Sequence, residues 1–225
     1  MHGRDAHTTN MISIHSIFVG QPETITDQTG SWKSSIFRKA VFGPVEVGLG
    51  GIVGDQVTDV VNHGRPSQAV CVHPIEHYAY WNEQFKLESA RQRLGPGSVG
   101  ENWTIEGANE ATICVGDSYL VGSTEVQVSG PRGPCWKQER KLRLPGFLKR
   151  TIASMRTGFY LQILQSGTVQ PGDTWHLKSR PNRWLTLHVV NASYYQTPEP
   201  GVVERILATP ELAEGWKRMF SEMSG

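Results

Sequence analysis

The segment GPRGPCWK, residues 130–137, places Cys135 just after Pro131 and Pro134, with Arg132 and Lys137 on either side. Proline rings hold φ near −65° and stiffen the backbone that presents the thiol. Pro134 suits the first position of a helix that CWKQERKL would continue. The positive end of a helix and two nearby cations favour a thiolate. That is the form of sulfur that attacks electrophiles and ligates soft metals. A small buried thiol in a turn competes with this reading, and spacing alone leaves the two level.

Three further groups of residues bear on chemistry. His63, Arg65 and Gln68 in VNHGRPSQAV (61–70) surround Gly64 with donors, which suits an anion or phosphate cradle. An ordinary polar turn explains the same letters. SVGEN (98–102) sets Glu101 and Asn102 after Gly100 and by itself reads only as a turn. HPIEH (73–77) matches the inverted zinc-protease pattern H-x-x-E-H. Its mechanics fail, because Pro74 at the start of a helix would leave His73 at the N-cap, off the face of His77. Cys71 would point with His73, away from the helix, and no downstream glutamate ligand is evident. The plain expectation is an N-cap His73 and a surface or packing His77. His63 or His73 could also activate Cys135 as a Cys–His pair. LGGIVGD (49–55) lacks the spacing of a dinucleotide fingerprint, and no nucleophile elbow or Walker loop occurs.

The elements that must position these residues are mostly strands. ISIHSIFVG (12–20) alternates, SSIFRKAV (34–41) is a second strand, and QAVCVH (68–73) a short buried one. HPIEHYAYWNEQF changes to helical spacing through Ile75, Tyr78, Ala79, Asn82 and Phe85, with Pro74 at its first position. DSYLVGSTEVQVS (117–129) reads as a hairpin around Gly122-Ser123. Residues 158–165 form another strand, and 167–178 a second hairpin-like unit. Beyond SRPNRW (179–184), TPEP (197–200) and Thr209-Pro210-Glu211 look like helix starts, and Leu212, Trp216, Met219 and Phe220 share one face. TLHVVNASYY (186–195) is ambiguous. The fold class expected is mainly β with some α: a barrel-like β domain over 12–180 and a small helical appendage over 181–225, after a polar arm at 1–11.

Composition narrows the class. The 225 residues carry 22 Lys+Arg and 21 Asp+Glu, a net charge of +1, so nucleic-acid polymers have no electrostatic support as partners. No apolar run approaches the roughly 20 residues of a membrane span. The three cysteines do not form a disulfide framework, and a cytoplasmic location is expected. The N-terminal residues lack the apolar core of a signal peptide.

Taken in order, Gly54-Asp55, NHGRPSQAVCVHPIEHYAYW, Gly100-Glu101-Asn102, Gly116-Asp117, GPRGPCWK, Gly158-Phe159-Tyr160 and Gly167 with Gly172-Asp173 resemble the MOSC domain family. That family is named after the C-terminal domain of molybdenum cofactor sulfurases. Within it the series is most similar to the YiiM-like branch, over about 12–180, with 181–225 resembling the three-helix domain that follows. The resemblance implies a β-barrel-like fold and a molybdenum cofactor, the metal carried on molybdopterin. It implies Cys135 as metal ligand, with His63 and Arg132 beside it in catalysis. Asn102, Glu101, Gly64, Arg65, Gln68 and Lys137 would then join them around the pterin and its phosphate. It also implies two-electron reduction of N–OH to N–H in N-hydroxylated compounds, such as the base analogue 6-hydroxylaminopurine, with electrons from a separate redox protein. A homodimer is compatible with the aromatic content. The loop departs from the family at Arg65, where a glycine is usual, and at Gln68, where a basic residue is usual. Two other readings stay open: a sulfur carrier bearing a Cys135 persulfide, and a non-enzymatic module that binds a cofactor or anion.

Overall fold

The computed structural model describes residues 11–223 apart from 62, so all but Met11 of the arm at 1–11 lies outside the described residues. The first half of the chain is strands: β1 (Ser13–Val19), β2 (Glu23–Asp27), β3 (Gly30–Ser34), β4 (Lys39–Val41), β5 (Val45–Gly48), β6 (Gly51–Ile52) and β7 (Val70–Pro74). Helix α1 (Glu76–Gln84) leads to β8 (Trp103–Glu106), β9 (Ser118–Val121) and β10 (Thr124–Pro131). Helices α2 (Trp136–Leu142) and α3 (Phe147–Ser154) precede β11 (Phe159–Gln165), β12 (Gly167–Val169) and β13 (Trp175–Ser179). Helices α4 (Leu187–Tyr195), α5 (Val202–Leu207) and α6 (Glu214–Met223) follow.

The main sheet has eight strands in the order β13-β9-β10-β11-β7-β8-β1-β4. Every pairing in it is antiparallel except β7 with β8. The sheet curls back on itself, for Ile14 N–H donates to the Asp173 carbonyl (2.9 Å) and Trp175 N–H to that of Ile12 (2.9 Å). Its central strand β7 is buried along its whole length, as a strand paired on both edges and covered on both faces must be. Inside the curl, Ile17, Val72, Trp103, Val126, Phe159 and Leu161 form one apolar cluster. Leu187, Val190, Ile206, Trp216 and Phe220 of the last three helices belong to the same cluster, so the helical segment after Ser179 packs directly on the sheet. Among the described residues, no helix is long and apolar enough to cross a membrane.

Several local expectations give way to long-range pairing. Pro74 ends β7 instead of opening a helix, and His73 is a buried strand residue, not an N-cap. Pairing of His73 with Thr104 and Pro74 with Ile105 carries the strand past the proline, and α1 starts only after Ile75. Of the two alternatives for His77, surface or packing, the structure has the packing one: His77 is 1% exposed and bonded to Glu110. The hairpin expected over 167–178 does not exist, because β12 pairs with β5 and β13 with β9. The strand expected at 34–41 breaks where Arg38 turns away to pair with Asp55. Thr209 does not start α6; its hydroxyl donates back to the Arg205 carbonyl (3.1 Å), finishing α5. The ambiguous 186–195 stretch is α4, capped by the Thr186 hydroxyl oxygen, which accepts from Val189 N–H (3.2 Å).

Candidate functional site

Three strands and one helix converge on the GPRGPC segment. The β10–β11 register slips between Val128 and Gly130, a bulge that redirects the chain as it leaves the sheet. Gly130 has φ +150°, and a Cβ there would lie 2.9 Å from the Trp216 ring. The same indole N–H donates to the Pro131 carbonyl (2.8 Å), so α6 clamps the segment from outside. From inside, Arg132 N–H donates to the Gly158 carbonyl (2.9 Å). Gly158 can sit there because it has no Cβ; one would meet the Val72 carbonyl at 2.4 Å. Cys135 is the N-cap of α2, so the helix starts at Trp136, two residues later than the Pro134 start expected: the Cys135 backbone is extended, with φ −129°. Its N–H donates to Gln138 Oε1 (3.0 Å), and its carbonyl accepts from Gln138 N–H (2.9 Å).

The result is a half-buried thiol at the wall of a cavity of about 110 Å³. His63, Gly64, Gln68, Asn102, Arg132 and Lys137 line the same cavity, so segments far apart in sequence meet there. Arg132 is buried; its Nη2 donates to the Val99 carbonyl (3.0 Å), whereas Nη1 has no partner among the described residues. Gln68 Oε1 is likewise buried and unpartnered. Burial holds the His63 imidazole below its ordinary range, and the positive charges of Arg132 and Lys137 push the same way.

Two expected residues stand elsewhere. Arg65 turns outward and reaches the Val61 carbonyl (3.4 Å). Glu101 is fully buried behind the cavity, where its Oε1 accepts from Tyr78 Oη, Gly97 N–H and Thr104 Oγ1. Asn102 does line the cavity, but its amide is committed: Oδ1 accepts from Cys71 N–H (3.1 Å) and Nδ2 donates to the Phe18 carbonyl (3.2 Å). It ties β1, β7 and β8 together beneath the site.

Sequence reasoning missed several wall residues. Arg38 forms a two-point ion pair with Asp55 (3.0 and 3.1 Å) and donates to the Gly100 carbonyl (2.7 Å), joining the three segments of that wall. Cys71 places a second thiol on the cavity, pushed up by burial. Tyr160 pairs with it across β11, its phenol pushed up to about 12 by removal from water. The alternation of QAVCVH against GFYLQ was the signal available for that pair.

Behind the wall lies a buried polar chain. His77 Nε2–H donates to Glu110 Oε2 (2.7 Å), His77 Nδ1 accepts from Arg156 (3.2 Å), and Glu110 Oε1 accepts from Gly158 N–H (2.6 Å). His73 packs beside it against His77 and Tyr78, with ring centroids 5.2 Å away in each case. Among the described residues, no cluster of three or more His, Cys, Asp or Glu has the arrangement of a metal site.

The sheet is curled and mostly antiparallel, and its cation-lined cavity holds the Cys135 and Cys71 thiols. The MOSC domain family model matches residues 59–176, and the chain belongs to that family. The uncharacterized protein YflK of Bacillus subtilis is 32% identical over 209 residues, 92% of each chain. The crystal structure of YiiM from Geobacillus stearothermophilus superposes with a TM-score of 0.78 at 32% identity, covering 95% of this chain and all of that one. A protein of Gibberella moniliformis named "Reductase" is 32% identical over 162 residues, 71% of this chain but only 28% of that longer protein.

The cavity walls fit the anionic end of the cofactor that this family implies. A half-exposed thiol supplies, as thiolate, a soft ligand for a thiophilic metal. An unpaired buried guanidinium N–H suits an oxo or phosphate oxygen. The volume of about 110 Å³ is well below the roughly 300–1,000 Å³ of a site that encloses a drug-sized ligand, so these walls account for the metal and its near oxygens, not for a whole pterin.

Proposed function

We propose that this protein is an oxidoreductase that carries a molybdenum cofactor on Cys135 and reduces N-hydroxylated small molecules. The observation that carries the reading is the half-buried Cys135 thiol sharing a small cavity with a buried arginine that has an N–H group to spare. Membership of the MOSC family and the fungal relative named a reductase support it. The bound metal would supply the two-electron couple that, with two protons, converts N–OH to N–H and water.

The chain's own residues would do the rest. Cys135 would hold the metal from a capped, proline-stiffened turn. Arg132, its position set by Gly158 and Val99, would stabilise negative charge on the bound group. Burial holds the His63 imidazole below its ordinary range; a neutral ring offers one N–H donor and one acceptor nitrogen, and would relay a proton to the departing oxygen by taking one up on the acceptor nitrogen as it gives up the other. Gln68 and Lys137 would bind oxygens of the cofactor. Electrons would come from a separate redox protein. All three cysteines are free thiols, which accords with a reducing cytoplasm.

The test is metal analysis by mass spectrometry together with fluorescence of oxidised pterin, on wild type and Cys135→Ala made in a host that synthesises the cofactor. Wild type should carry stoichiometric molybdenum and pterin, and the variant should lose the metal. Absence of both from wild type, with a persulfide on Cys135, would replace this reading by that of a sulfur carrier.

A further inference from the structure

We infer that the Tyr160 hydroxyl is a further donor of the Cys135 cavity, which hydrogen-bonds an oxygen of the group held there together with Arg132 and Lys137. The inference rests on reading this cavity as the seat of an oxygen-bearing group. Phe159 and Leu161 of β11 belong to the apolar cluster inside the curl, so Tyr160 between them points to the opposite face. Val70 and Val72 of β7 join the same cluster, and Cys71 between them takes the opposite face too. The β7–β11 register sets Cys71 against Tyr160, and both line the cavity with Cys135, Arg132 and Lys137.

Three observations assign the hydroxyl to the site and not to the core. The first is partnership. The Tyr160 backbone is fixed by pairing with Cys71 and Gly130, and its carbonyl accepts from Ser129 Oγ (3.1 Å). Its hydroxyl makes no hydrogen bond to a described residue, whereas those of Tyr78 and Tyr119 are taken by Glu101 and Asp117. A tyrosine hydroxyl removed from water normally has a partner, so one left over at a cavity wall is available to a ligand. The second is protonation. Removal from water pushes the phenol up to about 12, against the pull of Arg132 and Arg38, so at neutral pH it keeps its proton and donates. The third is its company. Arg132 Nη1, buried and without a partner among the described residues, and Lys137 are charged donors on the same cavity. An oxyanion carries several acceptor oxygens and takes both charged and neutral donors. The volume of about 110 Å³ exceeds the roughly 10–15 Å³ that one water needs and admits a small oxyanion.

The experiment is equilibrium dialysis of inorganic phosphate, an oxyanion that forms no bond to the thiol, against the full chain as wild type, Tyr160→Phe and Tyr119→Phe. Protection of Cys135 from iodoacetamide, read by mass spectrometry, locates the bound ion, and thermal melting checks the fold. Tyr160→Phe removes a single oxygen with no protein partner to lose, so it should melt within about 2 °C of wild type. It should weaken phosphate binding about tenfold, as loss of a hydrogen bond to a charged acceptor does, with a matching loss of protection at Cys135. Tyr119→Phe gives up its bond to Asp117, outside the cavity, and should melt lower yet bind phosphate like wild type. The inference is overturned if phosphate does not shield Cys135 in wild type, if Tyr160→Phe binds within twofold of wild type, or if the two variants lose affinity and stability alike. Molybdenum content is a separate readout. A chain that carries no molybdenum but loses phosphate on Tyr160→Phe would refute the proposed cofactor and leave the hydroxyl in its role; a loaded chain indifferent to Tyr160→Phe would do the reverse.

Discussion

Replacing His77 by alanine tests whether the buried chain behind the cavity is a structural support. The Glu110 carboxylate is 4% exposed and receives two short hydrogen bonds, one from His77 and one from Gly158. Burial alone would raise its pKa, but the His77 contact and the Gly158 N–H hold it below the ordinary carboxylate value. His77→Ala leaves that charge without its imidazole partner and also strips Arg156 of an acceptor. Breaking one side of a buried polar pair costs about 3–5 kcal/mol. For a chain of this size each kcal/mol moves Tm by about 2–4 °C, so the drop should be about 6–20 °C. His77→Gln keeps a donor and should lose about half of that. The double variant His77→Ala/Glu110→Gln should be less destabilised than the single effects add up to, because no buried charge is then stranded. Scanning calorimetry at pH 7 reads wild type, His77→Ala, His77→Gln, Glu110→Gln and the double variant. The pH dependence supplies a second arm. A carboxylate with a lowered folded pKa contributes stability that is present above its unfolded pKa of about 4.3 and lost as pH falls through the folded value. Wild type should therefore lose its advantage over Glu110→Gln on acidification below about pH 5. A loss below about 1 kcal/mol in His77→Ala, or strict additivity, would refute the reasoning.

Gly158→Ala should be destabilising by at least about 2 kcal/mol, since φ is +73° and the new methyl would meet the Val72 carbonyl at 2.4 Å. The same change should weaken molybdenum retention, because the Gly158 carbonyl holds Arg132, and unchanged metal content would separate the two roles. Lys141 donates to the Gly97 carbonyl (2.7 Å), and burial lowers its pKa to about 8. The unfolded lysine keeps its proton up to about pH 10.4, so between pH 8 and 10 the unfolded chain binds more protons and folding gains stability as pH rises. Lys141→Met should abolish that gain in denaturant titrations; parallel curves for the two proteins would show that the burial argument is wrong.

What was legible in the sequence was whatever is encoded locally. The alternation of 12–20 and 117–129, the Gly122-Ser123 turn and the presented thiol of GPRGPC all survive in the structure, because each depends on neighbours a few residues away. What failed depended on partners far along the chain. Pro74 carries a sound helix-start signal, yet pairing of β7 with strands that begin at Trp103 and Phe159 keeps it in the sheet and buries His73. Arg65 and Glu101 lie within two residues of cavity-lining positions, but their side chains leave by other routes, to Val61 and to Tyr78. Sequence proximity does not encode that direction. Conversely, Cys71 and Tyr160 share the cavity only because the β7–β11 register sets them opposite one another. The same register brings Val72 against Phe159 and so leaves no room for a Cβ at Gly158, the residue that links Arg132 to Glu110. A one-residue slip would turn every side chain of β7 to the other face, removing the second thiol and the support of the arginine together. The pairing that builds the core therefore also builds the cation-lined wall facing Cys135, and a variant that weakens one should weaken the other.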